Sequence, residues 1–197
     1  MLHKQKRKTR RERLIEVGLD LFSRHSYDEV AIDDIAAAAN ISKGLLYYYF
    51  PTKHDFYLAV LRHSTNQLLE LTEPDASLEP LERLRVGLLA YFTFAEMHAR
   101  TYVALLRGGV GVDPEVAAIL NHVRQTYVER VLQGLPESER QLPALRLAIT
   151  GWVGFVEALS LAWLEEHQLS KEQLAELAIR TLLATITSLH EQGSSSR

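Results

Sequence analysis

The chain has 197 residues, of which 47% are hydrophobic and 24% charged, with a formal net charge of −3. This balance is typical of a folded globule, and the length suffices for one large or two small domains. The absence of cysteine excludes a disulfide framework and thiolate metal sites. The basic amino terminus lacks the apolar run of a secretory signal, so we expect a cytoplasmic protein.

The charge is unevenly distributed along the chain. Residues 1–63 contain 11 Lys or Arg against 8 Asp or Glu, whereas residues 64–197 contain 11 against 17. The basic residues of the first 13 positions form either a solvated tail or an arm that follows the DNA backbone or enters a minor groove. We favour the arm because a candidate DNA-binding motif follows it in the chain.

Three short helices are predicted next. The first covers 9–23 and places Leu14, Val17, Gly18, Leu21 and Phe22 on one side. The second covers 32–39, where apolar residues recur at offsets 0, 3, 4 and 7. Ser42 can cap a third helix that begins at Lys43, and Pro51 ends it.

The third helix is predicted to present one face to a partner. Leu46, Tyr49 and Phe50 point away from that face and can pack on the second helix. Two short helices joined by such a turn form a helix-turn-helix, whose second helix fits the DNA major groove, about 12 Å wide. On this helix the tyrosine hydroxyls can donate to phosphate oxygens, and Gly44 allows the backbone to come close.

The stretch resembles the DNA-binding motif of TetR-type transcriptional regulators. The matching residues are Asp34-Ile35-Ala36, Ile41-Ser42-Lys43-Gly44, Leu46-Tyr47 and Phe50-Pro51-Thr52-Lys53. The resemblance implies that Ser42, Tyr47 and Lys53 touch DNA phosphates and that Phe50 lies in the core. Three positions depart from the family pattern, which usually has Thr at Ala31 and Gly at Ser26 and Asn40. We therefore expect the cap at Ala31 to be missing or to come from elsewhere, whereas Asn40 tolerates the left-handed turn conformation.

The predicted DNA contacts combine the motif with the arm. Lys43 and Lys53 can neutralise phosphates, and the methyl groups of Leu45 can touch thymine methyls. The complete set is Ser42, Lys43, Gly44, Leu45, Tyr47, Tyr48, Lys53, Arg7, Arg10 and Arg11.

The rest of the chain is also predicted to be helical. A long helix over 53–71 belongs to both halves of the molecule, with Thr52 and Asp55 at its start. Five helices follow, over 80–98, 101–107, 114–133, 143–166 and 171–191. The predicted fold is all-α: a three-helix helix-turn-helix head at 1–52, joined by the long helix to a ligand-binding and dimerisation domain at 53–192, with a disordered tail at 193–197.

The helices over 143–166 and 171–191 carry more apolar surface than one core face needs. A membrane span over 143–166 is disfavoured because Glu157 would cost roughly 2.5 kcal/mol or more at a bilayer centre. Both helices are either buried within one subunit or shared between two. We favour a homodimer with a four-helix interface, which the TetR-type resemblance also implies.

The resemblance suggests control by a small, largely hydrophobic effector. Candidate pocket residues are Tyr91, Phe94, His98, Tyr102, Arg107, Trp152, Phe155 and Glu157, although plain core packing is the alternative for each aromatic residue. Glu157 needs a partner because it is a carboxylate in an apolar helix. The candidate partners are Arg107, a residue of the other subunit and a cationic ligand. We favour a hydrogen bond within the protein, either inside one subunit or across the interface.

No catalytic constellation, cofactor motif or metal-ligand spacing is recognisable, so an enzyme is not expected. The predicted function is a dimeric regulator that binds a palindromic DNA operator and is released by an effector, which makes a repressor the leading hypothesis. The alternatives are a nonspecific architectural DNA-binding protein and a helical small-molecule carrier.

Overall fold

The structure, a computed structural model, describes residues 9–109, 113–140 and 143–195. The described residues form helices and connecting turns and contain no strand. The helices are α1 Arg10–Arg24, α2 Ile32–Ala38, α3 Lys43–Tyr49, α4 Lys53–Leu71, α5 Pro80–Met97, α6 Ala99–Ala104, α7 Pro114–Gln133, α8 Glu137–Arg140, α9 Pro143–Glu166 and α10 Lys171–Ser195. The predicted all-α fold is confirmed.

Side chains that satisfy exposed backbone N–H groups explain where several helices begin. The Thr9 hydroxyl accepts from the Glu12 N–H at 3.2 Å, while the Glu12 carboxylate accepts from the Thr9 N–H at 2.6 Å. Thr52 and Asp55 form the same reciprocal box at the start of α4. A third box joins Ser170 and Gln173 before α10. Each box satisfies N–H groups that have no partner inside the helix.

The chain divides into two compact units, the first comprising Met1–Asn66 with Arg100–Ile119. Its core joins α1, α2, α3 and the first half of α4 through Leu14, Ile15, Phe22, Val30, Ile35, Ala36, Leu46, Phe50, Phe56 and Val60. Gly18 permits the close approach of α1 to α4, since a Cβ there would lie 2.4 Å from Cγ2 of Val60. Leu46 and Phe50, which were predicted to pack inwards, are buried in this core together with Ile35 and Ala36 of α2.

The second unit comprises Gln67–Ala99 with Leu120–Arg197. In it α10 packs on α5 and α9, and Leu174, Ala178 and Ile179 of α10 are almost fully buried. The guanidinium of Arg130 on α7 caps the end of α4 by donating to the carbonyls of Leu69 and Thr72 at 2.9 and 3.2 Å. These bonds satisfy carbonyls that the last turn of a helix leaves open.

Three details differ from the sequence prediction. The helix α8 was not predicted, because this single turn has no apolar repeat and is held by Arg140, which donates to the Leu135 carbonyl at 2.8 Å. The helix expected at 101–107 is α6 followed by a π-helical turn, Leu105–Gly109. Finally, α10 continues through Ser195, into the segment 193–197 predicted to be disordered, since no proline ends it.

Candidate nucleic-acid interface

The outward face of α3 is open surface. Tyr48 is 80% exposed and Tyr47 45%, whereas Leu46 is fully buried and Phe50 only 2% exposed. Ser42, Lys43 and Gly44 are also exposed and Leu45 is half-buried. Since helical residues three and four apart share a face, the buried side chains hold α3 against the core while the others face outwards. The structure thus brings together the six sequence-predicted residues from Ser42 to Tyr48.

The turn between α2 and α3 sets the direction in which α3 leaves. Asn40 has a φ of 50°, the left-handed conformation that Asn tolerates better than most residues. The Ser42 hydroxyl then accepts from the Leu45 N–H at 3.2 Å and caps α3 as predicted. Ser26, the other position where glycine was expected, has no positive φ, and its N–H donates to the Glu29 carboxylate at 2.7 Å.

The predicted loss of a cap at Ala31 is resolved by a side chain from inside α2. Ala31 begins α2 without a side-chain acceptor. The Asp34 carboxylate reaches back and accepts from the Ala31 N–H at 2.8 Å. Half of a capping box therefore remains, and it satisfies one N–H at the start of α2.

Lys43 already has a partner within the head. Its ammonium group forms an ion pair with the Asp33 carboxylate of α2, and both side chains are more than half exposed. Exposed ion pairs of this kind contribute little to stability, about 0 to 1 kcal/mol. A phosphate can therefore replace Asp33 as the partner of Lys43 at small cost.

Lys53 makes a cation–π contact with an aromatic ring, which the sequence did not indicate. Its ammonium nitrogen is 4.1 Å from the centre of the Tyr27 ring. The Tyr27 ring in turn lies 4.9 Å from that of Tyr57 on α4. A cation above an aromatic face is attracted by the negative charge of that face, which restricts the positions of the Lys53 side chain.

The arginines of the predicted arm have different environments. Arg10 and Arg11 are exposed in the first turn of α1, so they belong to a helix and not to an extended arm. The Arg11 guanidinium lies 4.9 Å from the centre of the Phe50 ring, next to the end of α3. Arg7 lies outside the described residues.

The predicted pocket residues do not all fall in one unit. Tyr91, Phe94, His98, Trp152, Phe155 and Glu157 belong to the second unit, whereas Tyr102 and Arg107 belong to the first. Tyr91, Phe94 and Trp152 are buried, and Trp152 donates its indole N–H to the Ala178 carbonyl at 2.8 Å. These three contribute to the core of the second unit, so their role as ligand contacts stays a prediction.

The partner of Glu157 is Arg124, which the sequence did not indicate. The Nε of Arg124 on α7 lies 2.9 and 3.0 Å from the two carboxylate oxygens of Glu157, and both side chains are mostly buried. The favoured hydrogen bond within the protein is thus present, but Arg107 was the wrong partner among those considered. Arg124 and Glu157 are 33 positions apart in the chain, so no local pattern indicates this contact.

His98 is a candidate with a perturbed acidity. Burial lowers the pKa of His98 from its usual 6.5, and its ring lies 4.3 Å from that of Phe94. A neutral imidazole offers one donor and one acceptor, which suits a polar group on an otherwise apolar ligand.

We expect His98 to destabilise the fold in acid. Since the pKa is lower in the folded state than in the unfolded one, the unfolded chain binds more protons as the pH falls below about 6.5. The melting temperature of the His98→Phe variant should therefore rise relative to that of the parent as the pH is lowered from 7.5 to 5. Calorimetry across this range measures the difference, and parallel profiles for the two proteins would contradict it.

Two helices of the second unit expose apolar and small residues. On α9, Leu147 is 74% exposed, and a Cβ added at Gly151 or Gly154 would meet no atom within 4 Å. On α10, Leu177 and Leu183 are 41% and 46% exposed. By length and composition α9 would also suit a membrane span, but Glu157 on it is paired with Arg124. Within the described part of the chain, no group of three His, Asp or Glu residues is arranged to hold a metal ion.

Two family descriptions match the chain. Residues 14–60 match "Bacterial regulatory proteins, tetR family", and residues 80–185 match "Tetracyclin repressor-like, C-terminal domain". The first match contains all of the outward face of α3. The second covers most of the second unit, including α9 and most of α10.

Similar proteins of known sequence and structure support the same grouping. The HTH-type transcriptional activator FasR of Mycolicibacterium smegmatis is 25% identical over 86% of this chain and 80% of its own length. The HTH-type transcriptional repressor KstR of Rhodococcus jostii is 24% identical over 89% and 84%. A tetR-family regulator from Streptomyces coelicolor superposes with a TM-score of 0.81 at 33% identity, over 91% of this chain and 81% of the other.

Proposed function

The chain belongs to the TetR family of bacterial transcriptional regulators, and we propose that it is a homodimeric repressor in the cytoplasm that binds a palindromic operator and leaves it when a small, largely hydrophobic effector binds. The observation that carries the proposal is the outward face of α3. This face presents two exposed tyrosines and Lys43 on a helix that the buried Leu46 and Phe50 fix to the head.

The chemistry of this face suits DNA. The helix is seven residues long, about 10 Å at 1.5 Å per residue, and so fits across a major groove about 12 Å wide. Tyr47, Tyr48, Ser42 and Lys53 supply donors for phosphate oxygens, which position the protein. Leu45 is the candidate for reading bases through thymine methyl groups.

The exposed surface of α9 and α10 supports a dimer. Glycine inside a helix costs about 1 kcal/mol relative to alanine, and neither Gly151 nor Gly154 has a neighbour in its own subunit that would exclude a Cβ. A partner helix that approaches closely accounts for both glycines. Two copies of α3 about a two-fold axis then fit half-sites one helical turn apart, about 34 Å, or a multiple of it.

The proposed response to an effector depends on the coupling between ligand binding and the separation of the two α3 helices in the dimer. A ligand that prefers one separation of the two α3 helices shifts the dimer towards that separation, by no more than its difference in affinity. Buried aromatic residues such as Tyr91 and Phe94 favour an apolar ligand, and the neutral form of His98 favours one with a single polar group. The helix α4, which begins with Lys53, is the proposed transmitter.

The function is tested by titrating the protein, by fluorescence anisotropy, against a palindromic fragment from its own promoter and a scrambled fragment of equal length. We expect the palindrome to bind about 10³-fold more tightly or better, and both affinities to fall as salt is raised from 50 to 200 mM. Equal affinities would favour the architectural alternative. Absence of binding to either fragment would favour the small-molecule carrier.

A further inference from the structure

His54 on α4 makes a contact with a distant segment of the first unit. Its Nε2 lies 2.6 Å from Oδ2 of Asp113, and its Nδ1 lies 3.6 Å from a carboxylate oxygen of Glu115. The side chains of His54 and Asp113 are about one-third exposed. A hydrogen bond to an ionised carboxylate is shorter and stronger than a hydrogen bond between two neutral groups, and here the bond is partly shielded from water.

Asp113 is itself held in place by α7. Its other oxygen, Oδ1, accepts from the backbone N–H groups of Glu115 and Val116 at 2.9 and 3.2 Å and so caps α7. The hydrogen bond with His54 lowers the pKa of Asp113, and the two backbone bonds lower it further. Asp113 therefore stays ionised at neutral pH. One of its carboxylate oxygens bonds to His54, and the other accepts from the start of α7.

The segment that carries Asp113 has two further contacts with the head. The Thr101 hydroxyl donates to the Phe22 carbonyl at 2.9 Å, and the Arg100 guanidinium lies 4.0 Å from the Glu29 carboxylate. Like these two, the contact at His54 joins residues 100–119 to the amino-terminal part of the first unit. It differs from them in lying on the first turn of α4.

The same turn carries Lys53, the predicted phosphate contact. Lys53 rests over Tyr27, and Tyr27 packs against Tyr57 one turn further along α4. Burial raises the pKa of Tyr57, and the charge of Asp113 raises it further, so the carboxylate lies near this aromatic pair. A shift of the first turn of α4 would therefore move the ammonium group of Lys53 relative to its ring support.

We propose that His54 is a positioning residue for DNA binding: its bond to Asp113 fixes the first turn of α4, so that Lys53 meets a DNA phosphate. This inference rests on the proposed function. It assigns to His54 an action through Lys53 and no contact of its own with DNA. Because small misplacements of a contact group cost much of its interaction, loss of the bond should act like partial loss of Lys53.

Two other effects of the same residues must be separated from positioning. The pair could serve stability alone, in which case its loss would lower the melting temperature and leave the number of phosphate contacts unchanged. The negative charges of Asp113 and Glu115 also lie beside His54, the neighbour of Lys53 in the chain, and removal of either would strengthen DNA binding through the long-range field. His54→Phe avoids the second effect because it keeps both carboxylates and the size of the ring.

The experiment compares His54→Phe, Lys53→Ala and the double variant on the operator fragment, as full-length proteins, with affinity measured over a range of salt. Each phosphate contact contributes about 0.9 to the slope of log affinity against log salt. We expect His54→Phe to weaken binding about three- to tenfold and to lower the slope by up to one contact. The double variant should match Lys53→Ala alone.

Glu115→Gln is the matched control, since it removes a carboxylate beside His54 and keeps the bond to Asp113; its slope should equal that of the parent. If His54→Phe proves unfolded by circular dichroism, Asp113→Ser takes its place, because serine still caps α7 but is too short to reach His54. Asp113→Ser is then compared with Glu115→Gln, which also loses one negative charge, so that the effect of the charge is separated from loss of the bond. Additive losses in the double variant, or an unchanged slope in either replacement, would overturn the inference. A slope unaffected by Lys53→Ala would overturn it too, whereas a parent protein that binds no operator refutes the proposed function itself.

Discussion

Replacement of Gly154 by arginine should produce a folded monomer that binds its operator about 100-fold more weakly or worse. In one subunit the change is tolerated, because no atom lies within 4 Å of a Cβ at this position. In a two-fold interface the same side chain enters from both subunits, so two charges and two long chains would meet where the helices approach most closely. Loss of the dimer removes the avidity of two linked half-site contacts, which is typically worth 10² or more.

Sedimentation gives the oligomeric state of the Gly154→Arg variant, and anisotropy its affinity for the operator. Gln125→Arg on α7 provides the control, because Gln125 is exposed and the same charge is added on a helix other than α9 and α10. The control should remain dimeric with unchanged affinity. A dimeric Gly154→Arg variant with the parent's affinity would show that α9 does not form the interface.

Replacement of Gly44 by alanine should raise stability and weaken DNA binding at the same time. A Cβ at Gly44 would meet no protein atom within 4 Å, and alanine favours a helix over glycine by about 1 kcal/mol. On the DNA side the added methyl group occupies space needed for close approach of the α3 backbone. Overpacking of this kind costs about 1 to 3 kcal/mol, which corresponds to roughly 5- to 150-fold in affinity.

The Gly44→Ala variant should thus gain stability and lose DNA affinity, and these opposite effects distinguish the side of α3 that packs on the protein from the side that faces DNA. Thermal denaturation reports the gain in stability, and anisotropy with operator and scrambled fragments reports the loss in binding. Gly87→Ala on α5 is the matched control, since a Cβ there lies 3.9 Å from its nearest neighbour, the Thr72 carbonyl oxygen. It should stabilise the protein without changing DNA affinity. If Gly44→Ala bound DNA as well as this control, the groove face would have been placed incorrectly.

The long helices could be predicted closely from the sequence because their ends are determined locally. The predicted range 53–71 coincides with α4, since the Thr52 and Asp55 box fixes its start. Pro114 and Pro143 likewise mark the first residues of α7 and α9. The single turn α8 lacks any repeat, and its stability comes from Arg140 bonding to backbone carbonyls, so no periodicity indicates it.

Only part of the candidate site could be predicted from the sequence, because only part of it is determined by residues close together in the chain. The outward face of α3 follows from the spacing of Leu46 and Phe50, which are both buried. Contacts made across the fold left no such signal, because His54 and Asp113 are 59 residues apart and each looks like an ordinary exposed polar residue. Their pairing depends on how α7 begins beside α4, which is a property of tertiary packing.

The division of α3 into a buried side and an open side has a consequence for how such regulators diversify. With the proposed role of the outward face, substitutions at Leu45, Tyr47 or Tyr48 after gene duplication would change which promoter a copy recognises without disturbing the core that contains Leu46 and Phe50. New regulatory circuits can therefore arise through a few surface changes, while each intermediate along the way remains a stable protein.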